Sequence, residues 1–331
     1  MRASACKRVS RTTDLGLRTA KLRFAYKMPQ NGYADKTTAQ QLCTIKLKIR
    51  ITMEQSKTKE SKVWFITGSS RGFGRVWTEA ALQRGDKVAA TARNVNSIAD
   101  LEEKYGENVL ILPLDVTQPE QVQSAVTAAH RHFGKLDIVV NNAGYSLVST
   151  IEEARADEIR ALYETNVLGP VSVIQAVLPI MRAQGYGHIW GTSSNLGHFV
   201  IPVIGYYASS KWAFEAIHES LATEVKPFGI KVTIIEPGAY ATEFGSEQSL
   251  KFSAPMTEYD AVRASVFENI QKYERGNPEA TAAAILALAD AAEPPLRLFL
   301  GSANLDGIKQ TYADRIRVWE QWQHIAVAAQ G

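Results

Sequence analysis

From Lys62 onward, short apolar segments alternate with longer amphipathic ones, and this alternation constrains the fold more than any other feature of the chain. Short apolar runs rich in β-branched and aromatic residues are typical of buried strands, and apolar residues at helical spacing between them indicate helices. Strands joined by helices pair in parallel, with helices on both faces of the sheet. The pattern predicts one doubly wound α/β domain with seven parallel strands. These strands are predicted at 63–67, 87–92, 109–114, 137–141, 188–192, 230–236 and 296–300.

The same pattern sets the predicted helices and the domain boundaries. No linker, repeat or low-complexity segment breaks residues 61–302, so we predict a single domain there, followed over 303–331 by a helical extension that packs on it. No uninterrupted apolar run reaches the roughly 18 residues that a membrane span needs. The helices are predicted at 75–84, 98–105, 120–133, 157–183, 206–226, 279–292 and 305–327.

The segment before the first strand differs in composition. Its first 52 residues carry 12 Lys or Arg against 2 Asp, which leaves 25 basic and 32 acidic residues in the rest of the chain. Few large apolar residues and no clear period predict a disordered basic extension over residues 1–60. An Arg-rich, acid-poor start also resembles a mitochondrial transit peptide. Because Met53 lies just before the first strand, we favour a start at Met53 or a dispensable tail, and we expect the domain in the cytoplasm.

The composition of the predicted domain excludes several classes of function. Its net charge is negative, whereas nucleic-acid binding needs basic residues gathered on the folded surface. Both cysteines, Cys6 and Cys43, lie in the basic extension. Disulfides, thiolate catalysis and cysteine-based metal sites are therefore excluded for the domain.

A glycine-rich loop, Thr67-Gly-Ser-Ser-Arg-Gly-Phe-Gly74, joins the first predicted strand to the first helix. Its three glycines let the backbone turn tightly and approach a pyrophosphate, and the free N–H groups of the helix N-terminus favour negative charge. Such a loop could also be a turn without function. The position of the loop favours a binding site over a turn without function, because dinucleotide sites form at the first strand-to-helix junction of a doubly wound sheet. The loop therefore predicts dinucleotide binding.

Tyr207 and Lys211 lie four residues apart in a predicted helix, so both side chains share one face. An ammonium beside a phenol favours the phenolate, so we expect Lys211 to lower the pKa of Tyr207 from about 10 towards neutrality. The two residues would then form an acid–base pair. Taken alone, such a pair is also common on solvated helix faces.

Three motifs in this order resemble the short-chain dehydrogenase/reductase family in its compact form. They are the loop Thr67–Gly74, Asn141-Asn-Ala-Gly144 at the end of the fourth strand, and Tyr207-x-x-x-Lys211. The resemblance spans residues 62–301. It implies a Rossmann-type fold, hydride transfer between a nicotinamide cofactor and a carbonyl or alcohol, and a homodimer or homotetramer built on the two long helices. Within the family, the C-terminal part is most similar to bacterial members of unassigned substrate, with some likeness to retinol and hydroxysteroid dehydrogenases.

The resemblance also implies roles for individual residues. Ser194 would hold the substrate oxygen, Tyr207 would transfer the proton, and Lys211 would polarise Tyr207 and hold the nicotinamide ribose. Asn166 matches the asparagine that supports a water chain to the lysine, although it could instead cap a helix kink. Asp115 matches the residue near the adenine, although it could instead close a turn. The implied cofactor-binding residues, the last three at the nicotinamide amide, are Gly68, Ser70, Arg71, Gly72, Phe73, Gly74, Arg93, Asp115, Val116, Asn142, Ala143, Gly144, Tyr207, Lys211, Pro237, Gly238 and Thr242.

The end of the second strand bears on the choice of cofactor. An NAD site usually places an acid there to bind the adenosine 2′-hydroxyl, whereas this chain reads Ala89-Ala-Thr-Ala-Arg-Asn94. Arg93 stands in that stretch and Arg71 in the glycine loop, so two guanidinium groups could clamp a 2′-phosphate. Either arginine could instead be a solvated surface charge. We predict NADP(H) in preference to NAD(H).

Substrate and metal binding leave weaker signals. The stretches 199–203 and 240–267 carry many aromatic and aliphatic residues, among them Phe244, and the family places a mobile lid at the second stretch. This composition predicts a largely apolar substrate, unless these residues only pack the lid. No cluster of His, Asp or Glu has the spacing of metal ligands, so we expect no metal. His198, four residues after Ser194, could contact substrate or lie on a surface loop.

Two other classes of function remain. A cofactor-binding sensor or scaffold could use the fold without turnover, but it would have no reason to keep the four catalytic residues together. An epimerase or dehydratase of the related extended family shares the Tyr-x-x-x-Lys motif but has a larger C-terminal substrate domain, and only 95 residues follow Glu236 here. We therefore predict an NADP(H)-dependent oxidoreductase acting on a small-molecule carbonyl or alcohol, with an NADP-binding sensor as the alternative.

Overall fold

The chain divides into two units, Met1–Lys59 and Glu60–Gly331. The computed structural model describes four stretches of the second unit, namely 61–242, 249–272, 274–302 and 305–331. The predicted disorder of residues 1–60 and the predicted place of Phe244 in the lid lie outside the described residues.

The described residues contain nine strands in two parallel sheets. The strands are β1 (Val63–Ile66), β2 (Lys87–Ala92), β3 (Val109–Pro113), β4 (Ile138–Asn141), β5 (Ser146–Val148), β6 (Gly187–Thr192), β7 (Ile230–Pro237), β8 (Leu250–Phe252) and β9 (Arg297–Leu300). Seven of them form the main sheet, in the order β3-β2-β1-β4-β6-β7-β9. Every neighbouring pair is parallel, so the predicted Rossmann-type, doubly wound α/β fold is confirmed. The strand order reverses between β1 and β4, which is where such sheets bind their ligands.

Helices cover both faces of the main sheet. They are α1 (Gly72–Arg84), α2 (Asp100–Tyr105), α3 (Pro119–Phe133), α4 (Ala156–Tyr163), α5 (Gly169–Gln184), α6 (Gly205–Val225), α7 (Asp260–Gln271), α8 (Thr281–Asp290) and α9 (Leu305–Ala328). Because successive strand side chains point to opposite faces, Val63 and Phe65 join the core formed with α3, α5 and α6. Trp64 and Ile66 join the core formed with α1, α2 and α8.

The helix predicted over 157–183 is interrupted in its middle. A five-residue π-helical turn, Glu164–Leu168, separates α4 from α5. Pro170 follows one residue after the turn, and because it has no N–H it cannot continue an α-helical hydrogen-bond ladder. The wider turn places Asn166 inside the protein, 1% exposed. The predicted long helix is therefore present over Ala156–Gln184, and a π-helical turn lies within it at the point where it carries a site residue.

By length and composition, Ala156–Gln184 is the one candidate membrane-spanning stretch in the part of the chain that the structure describes. Half of its most apolar window is buried inside the protein. Val173 and Val177 are fully buried in the core beneath the sheet. The stretch therefore behaves as a core helix of the domain.

The sequence pattern does not reveal the second sheet or α7. β5 and β8 pair in parallel over three residues each, which is too short to show a period. β8 and α7 belong to the segment 249–272, called the lid below because it lines one side of the main cavity through Leu250, Phe267 and Ile270.

Glu153 fastens the lid to the domain. Its Oε1 accepts a hydrogen bond from the backbone N–H of Met256 at 2.8 Å and another from the guanidinium of Arg263. Its Oε2 accepts from the backbone N–H of Thr150 at 2.8 Å. Burial alone would raise the pKa of Glu153, but the bonds from Met256, Thr150 and Arg263 outweigh it and lower the pKa to about 2. The lid is therefore held by a charged carboxylate.

Replacing Glu153 by Gln is expected to lower the melting temperature by roughly 3–10 °C at pH 7, because charge-assisted hydrogen bonds are lost. A carboxyl whose pKa is lowered on folding stabilises the protein above its ordinary pKa of 4.5 and loses that effect as the pH falls towards 2. Thermal melts from pH 7 to pH 3 should therefore show the gap between wild type and variant shrinking below pH 4.5. The control is Asp157→Asn, an exposed partner of Arg155 that does not touch the lid. A gap that is constant with pH would contradict this account.

Candidate active site

The loop between β1 and α1 needs glycine at three positions. Gly68 and Gly72 have φ of +73° and +55°, in the left-handed region that favours glycine. At Gly74 a Cβ atom would lie 2.2 Å from the carbonyl oxygen of Gly68. The predicted glycines therefore shape a bare backbone edge at the N-terminus of α1, as a pyrophosphate site requires.

Hydrogen bonds tie this loop to the end of β4. Thr67 Oγ1 accepts from the backbone N–H groups of Asn142 and Ala143 at 2.9 and 3.1 Å. The side-chain amide of Asn142 donates to the carbonyl oxygens of Thr67 and Gly68 at 3.0 and 3.3 Å. The glycine loop and the Asn-Ala-Gly segment thus form one connected edge at the point where the strand order reverses.

A cavity of about 1390 Å³ opens along this edge. Gly74 and Asn166 are the two predicted site residues that do not line it, since Gly74 packs against Gly68 and Asn166 lies behind Gly144. The predicted residues that line it are Gly68, Ser70, Arg71, Gly72, Phe73, Arg93, Asp115, Val116, Asn142, Ala143, Gly144, Ser194, Tyr207, Lys211, Pro237, Gly238 and Thr242.

One end of the cavity lies beside the end of β2. Arg71 and Arg93 line it there, and Asp115 lines it from the end of β3. Asp115 also closes a turn, because its Oδ1 accepts from the backbone N–H and the hydroxyl of Thr117 at 3.0 and 2.8 Å. The turn expected at Asp115 is therefore confirmed, and its place near the adenine stays a prediction.

The other end of the cavity contains Ser194, Tyr207 and Lys211, all less than 10% exposed. Ser194 follows β6 and is hydrogen-bonded to Tyr207, which lies in the first turn of α6. Lys211, one turn later, donates from Nζ to the carbonyl oxygen of Thr192 at 2.8 Å. The end of β6 and the start of α6 thus place a hydroxyl, a phenol and an ammonium together, in the cavity that the glycine loop also lines.

The ionisation of this group differs from the sequence-based prediction. Burial raises the pKa of Tyr207; the bond to Ser194 opposes this rise, and the nearby charge of Glu215 adds to it. The prediction that the Tyr207 pKa falls towards neutrality was wrong, because burial of the phenol outweighs the neighbouring charge of Lys211. The Lys211 ammonium donates to the Thr192 carbonyl and lies 5.7 Å from the centre of the phenol ring. Burial lowers the pKa of Lys211 to about 8, partly offset by Glu215. At neutral pH Tyr207 is therefore a neutral phenol able to donate a proton.

Asn166 connects the end of β4 to the catalytic helix. Its Oδ1 accepts from the backbone N–H of Tyr145 at 3.0 Å, and its Nδ2 donates to the carbonyl oxygen of Tyr145 at 2.8 Å and to Ser210 Oγ at 3.1 Å. The side chain thus ties two elements together from within the π-helical turn. Ser210 is the neighbour of Lys211, so Asn166 fixes the helix turn that carries the ammonium.

A buried ion cluster lies beside the catalytic residues, and the sequence pattern does not reveal it because its members come from separate elements. Arg297 Nη1 lies 2.7 Å from Glu215 Oε2 and 2.5 Å from Glu236 Oε1. His198 Nε2 lies 3.0 Å from Glu236 Oε2, and its Nδ1 lies 3.0 Å from the hydroxyl of Tyr312 on α9. His198 is thus buried in this cluster. It neither lines the cavity nor lies on a surface loop, so both readings taken from the sequence were wrong.

The cluster also qualifies the expectation that no residues have metal-ligand geometry. Ligand atoms of His198, Glu215 and Glu236 lie within 4.8 Å of one another, the one such group among the described residues. The guanidinium of Arg297 already lies against both carboxylates and offsets one of their two negative charges. We therefore assign no metal to this cluster.

The cavity wall beyond the catalytic residues combines many apolar side chains with charged ones, namely Glu164, Lys251, Glu274 and Arg275. Phe199, Ile201 and Ile204 of this wall belong to the loop before α6, which also contains Val203. Val203 is a buried β-branched residue with a strained φ of +59°. Its carbonyl accepts a hydrogen bond from the Ser149 N–H at 2.7 Å. Gly307 and Thr311 of α9 also line the cavity. The apolar and aromatic lining residues on this side are Tyr145, Val148, Leu196, Phe199, Ile201, Ile204, Leu250, Phe267 and Ile270.

Comparison with known proteins gives the class that the fold and site define. The sequence profile of short chain dehydrogenases matches residues 62–251. The oxidoreductase BOA17 of Botryotinia fuckeliana is 38% identical over 273 residues, covering 81% of this chain and 99% of that protein. A 3-ketodihydrosphingosine reductase of Bacteroides thetaiotaomicron is 33% identical over 245 residues, 73% of this chain and 88% of the relative. The chain belongs to the short-chain dehydrogenase/reductase family.

Comparison with solved structures supports the same family. A short-chain dehydrogenase from Streptomyces avermitilis superposes with a TM-score of 0.76 at 35% identity, covering 82% of this chain and 99% of the other. An alcohol dehydrogenase from Thermococcus sibiricus, complexed with 5-hydroxy-NADP, gives 0.62 at 28% identity, covering 74% and 98%. Other structures with this fold were solved with NADP and with NAD. The family therefore leaves the choice between the two cofactors open.

Proposed function

We propose that this protein is an NADP(H)-dependent oxidoreductase that interconverts a carbonyl and an alcohol. The observation that carries the proposal is the placement of Ser194, Tyr207 and Lys211 in the same cavity as the glycine loop. A hydroxyl, a phenol and an ammonium at that position can hold and protonate a carbonyl oxygen.

The glycine loop fits a dinucleotide, because its left-handed glycines and the close approach at Gly74 leave backbone N–H groups open at the N-terminus of α1. When bound there, NADP(H) supplies the hydride. Arg71 and Arg93 would hold its 2′-phosphate, and Pro237, Gly238 and Thr242 would hold the nicotinamide amide.

The ionisation of the site favours one direction. Ser194 holds the substrate oxygen, and Tyr207, a neutral phenol at neutral pH, gives that oxygen a proton as the carbonyl becomes an alcohol. The ammonium of Lys211 stabilises the phenolate that remains. In the reverse direction Tyr207 must first lose its proton, so alcohol oxidation should speed up as the pH rises. Carbonyl reduction is thus the reaction that the site supports best near pH 7.

The substrate is proposed to be largely apolar. The wall between Ser194 and the lid is formed by aromatic and aliphatic side chains, of which Phe199, Ile201 and Phe267 are examples. The name of the Bacteroides relative, a ketone reductase, is compatible with this proposal. A series of aldehydes and ketones of increasing alkyl length, followed by NADPH absorbance, tests it: KM should fall with length, and a KM that rises with length would contradict it.

Replacing Arg93 or Arg71 by Ala is expected to weaken NADPH binding by roughly tenfold or more, because a charge-assisted bond to the 2′-phosphate is lost. NADH has no such phosphate, so its Kd should change by less than about twofold in the same variants. Fluorescence titration of both cofactors measures the two effects. The proposal fails if wild-type protein binds NADH as tightly as NADPH, or if both cofactors lose affinity equally in the variants.

A homodimer or homotetramer is proposed as well. The two long helices that relatives would use are the stretch from α4 through the π-helical turn to α5, and α6. They carry large apolar side chains exposed to solvent, Leu168 and Trp212 among them. Light scattering coupled to size exclusion tests the proposal, and a monomer at micromolar concentration would contradict it.

A further inference from the structure

The ion cluster beside the catalytic residues is more buried than a surface salt bridge. Glu236 is fully buried and Glu215 is 3% exposed, whereas the third carboxylate on Arg297, that of Glu219, lies at the rim with 55% of its side chain exposed. Arg297 reaches both inner carboxylates with one nitrogen, Nη1, and the rim carboxylate with Nη2. One guanidinium thus holds two buried carboxylates, and each carboxylate loses its hydration when the protein folds.

Such a cluster is a poor source of stability. Taking charges out of water costs free energy that their mutual attraction repays only in part. Burial raises the pKa of Glu215, the bonds from Ser193 and Arg297 lower it, and the charge of Glu236 raises it again. Apolar residues in the same space would stabilise the fold at least as well. The geometry of the cluster therefore points to positioning.

Each carboxylate holds a segment of the active site. Ser193, the neighbour of Ser194, donates from its hydroxyl to Glu215 Oε1 at 2.5 Å. Gly197 packs so closely on the same carboxylate that a Cβ atom would lie 1.7 Å from Oε1. Glu236 directly precedes the Pro237–Gly238 turn that lines the cavity.

Glu215 also lies one turn after Lys211 on α6, so the cluster touches three elements of the site. β6 leads to Ser194, α6 carries Tyr207 and Lys211, and β7 ends at Pro237, next to Gly238. Arg297 of β9 joins the last two through their carboxylates. The charge of Glu215 acts on Lys211 and Tyr207 as well.

We propose that Glu215, clamped by Arg297, is a positioning residue that sets the Ser194 hydroxyl through Ser193 and tunes the Tyr207–Lys211 pair through its charge. The proposal rests on the proposed function for its catalytic consequence. Its structural consequence, a fixed 193–198 segment, stands without it.

The first test measures structure. Hydrogen–deuterium exchange of the apo protein should show faster exchange in peptides covering 193–198, by roughly threefold or more, in Glu215→Gln. Ser193→Ala removes the hydrogen bond to Glu215 without altering a charge, and it should also speed hydrogen exchange in the same peptides. This variant replaces Glu215→Gln as the test if Glu215→Gln folds poorly. The matched control is Glu219→Gln, which loses the rim contact to Arg297 on the same helix. Exchange in both test variants equal to that in the control would overturn the proposal.

The second test measures catalysis. In Glu215→Gln, kcat for carbonyl reduction should fall by roughly 10–100-fold, with the NADPH Kd within about threefold of wild type. Removing this negative charge lowers the pKa of both Tyr207 and Lys211, so the alkaline limb of the kcat profile should move to lower pH. The other charged or titratable groups around the carboxylate stay in place: Lys211, His218 and Glu219 on α6, Glu236 on β7, Arg297 on β9, and His198.

The two tests separate the two proposals. A loss of kcat with no shift of the pH profile would show a merely structural role and would overturn the tuning by charge. If the wild-type protein reduces no carbonyl compound, the proposed function fails, and the exchange measurement still decides whether Glu215 holds the Ser194 segment.

Discussion

Tyr207→Phe is expected to lower the rate of carbonyl reduction by about 10²–10⁴-fold, because the phenol is the proton donor in the function we propose. The variant keeps the ring that fills the start of α6 and loses only the hydroxyl. NADPH affinity should stay within about fivefold of wild type, since one hydrogen bond at most is removed. Turnover is measured as NADPH absorbance with a reactive aldehyde, and affinity as NADPH fluorescence.

The adjacent tyrosine supplies a matched control. The hydroxyl of Tyr206 donates to the carbonyl oxygen of Ile151 at 3.0 Å, away from Ser194 and Lys211. Tyr206→Phe should therefore keep turnover within about twofold of wild type. Equal losses in the two variants, or normal turnover in Tyr207→Phe, would exclude Tyr207 as the proton donor.

Lys211→Met is expected to lower turnover by about 10²-fold or more, because the phenolate formed at Tyr207 loses its neighbouring positive charge. The same change should alter how stability depends on pH. Lys211 has a pKa of about 8 in the folded protein against an ordinary 10.5. A lysine whose pKa is lowered on folding destabilises the protein below the folded value, and this cost disappears as the pH rises from about 8 to 10.5.

The free energy of unfolding of wild type relative to Lys211→Met should therefore increase between pH 7 and pH 10.5, by up to about 3 kcal/mol. Urea unfolding of the apo proteins at several pH values gives this difference directly, and effects common to both proteins cancel. The lost bond to the Thr192 carbonyl shifts the difference by a constant and leaves its slope with pH unchanged. A difference that is flat with pH would show that Lys211 is not a buried ammonium.

The main sheet could be predicted because most of its strands are short apolar runs between turn signals, buried on both faces, and only the edge strands β3 and β9 are largely half-buried. β1, with four fully buried residues, is an example of the buried strands. The glycine loop could be predicted for a related reason, since Gly68, Gly72 and Gly74 occupy positions where side chains do not fit. These features follow from local constraints that a sequence records directly.

The features that escaped prediction depend on contacts between distant residues. The π-helical turn at Asn166 has the same apolar period as the helices beside it, so the hydrophobic pattern does not separate them. Glu215, Glu236 and Arg297 lie on three elements and meet only when β7 and β9 pair. The pKa of Tyr207 was predicted in the wrong direction because spacing along a helix gives neighbours but gives no measure of burial.

The central claim is that this chain transfers hydride between NADP(H) and a carbonyl carbon. Incubation with NADPH deuterated at nicotinamide C4 and a panel of apolar aldehydes and ketones, followed by mass spectrometry of the products, tests it most directly. The account expects one deuterium on the carbinol carbon of at least one product, and none with Tyr207→Phe. Tight NADPH binding without deuterium in any product would contradict it and would favour a cofactor-binding sensor.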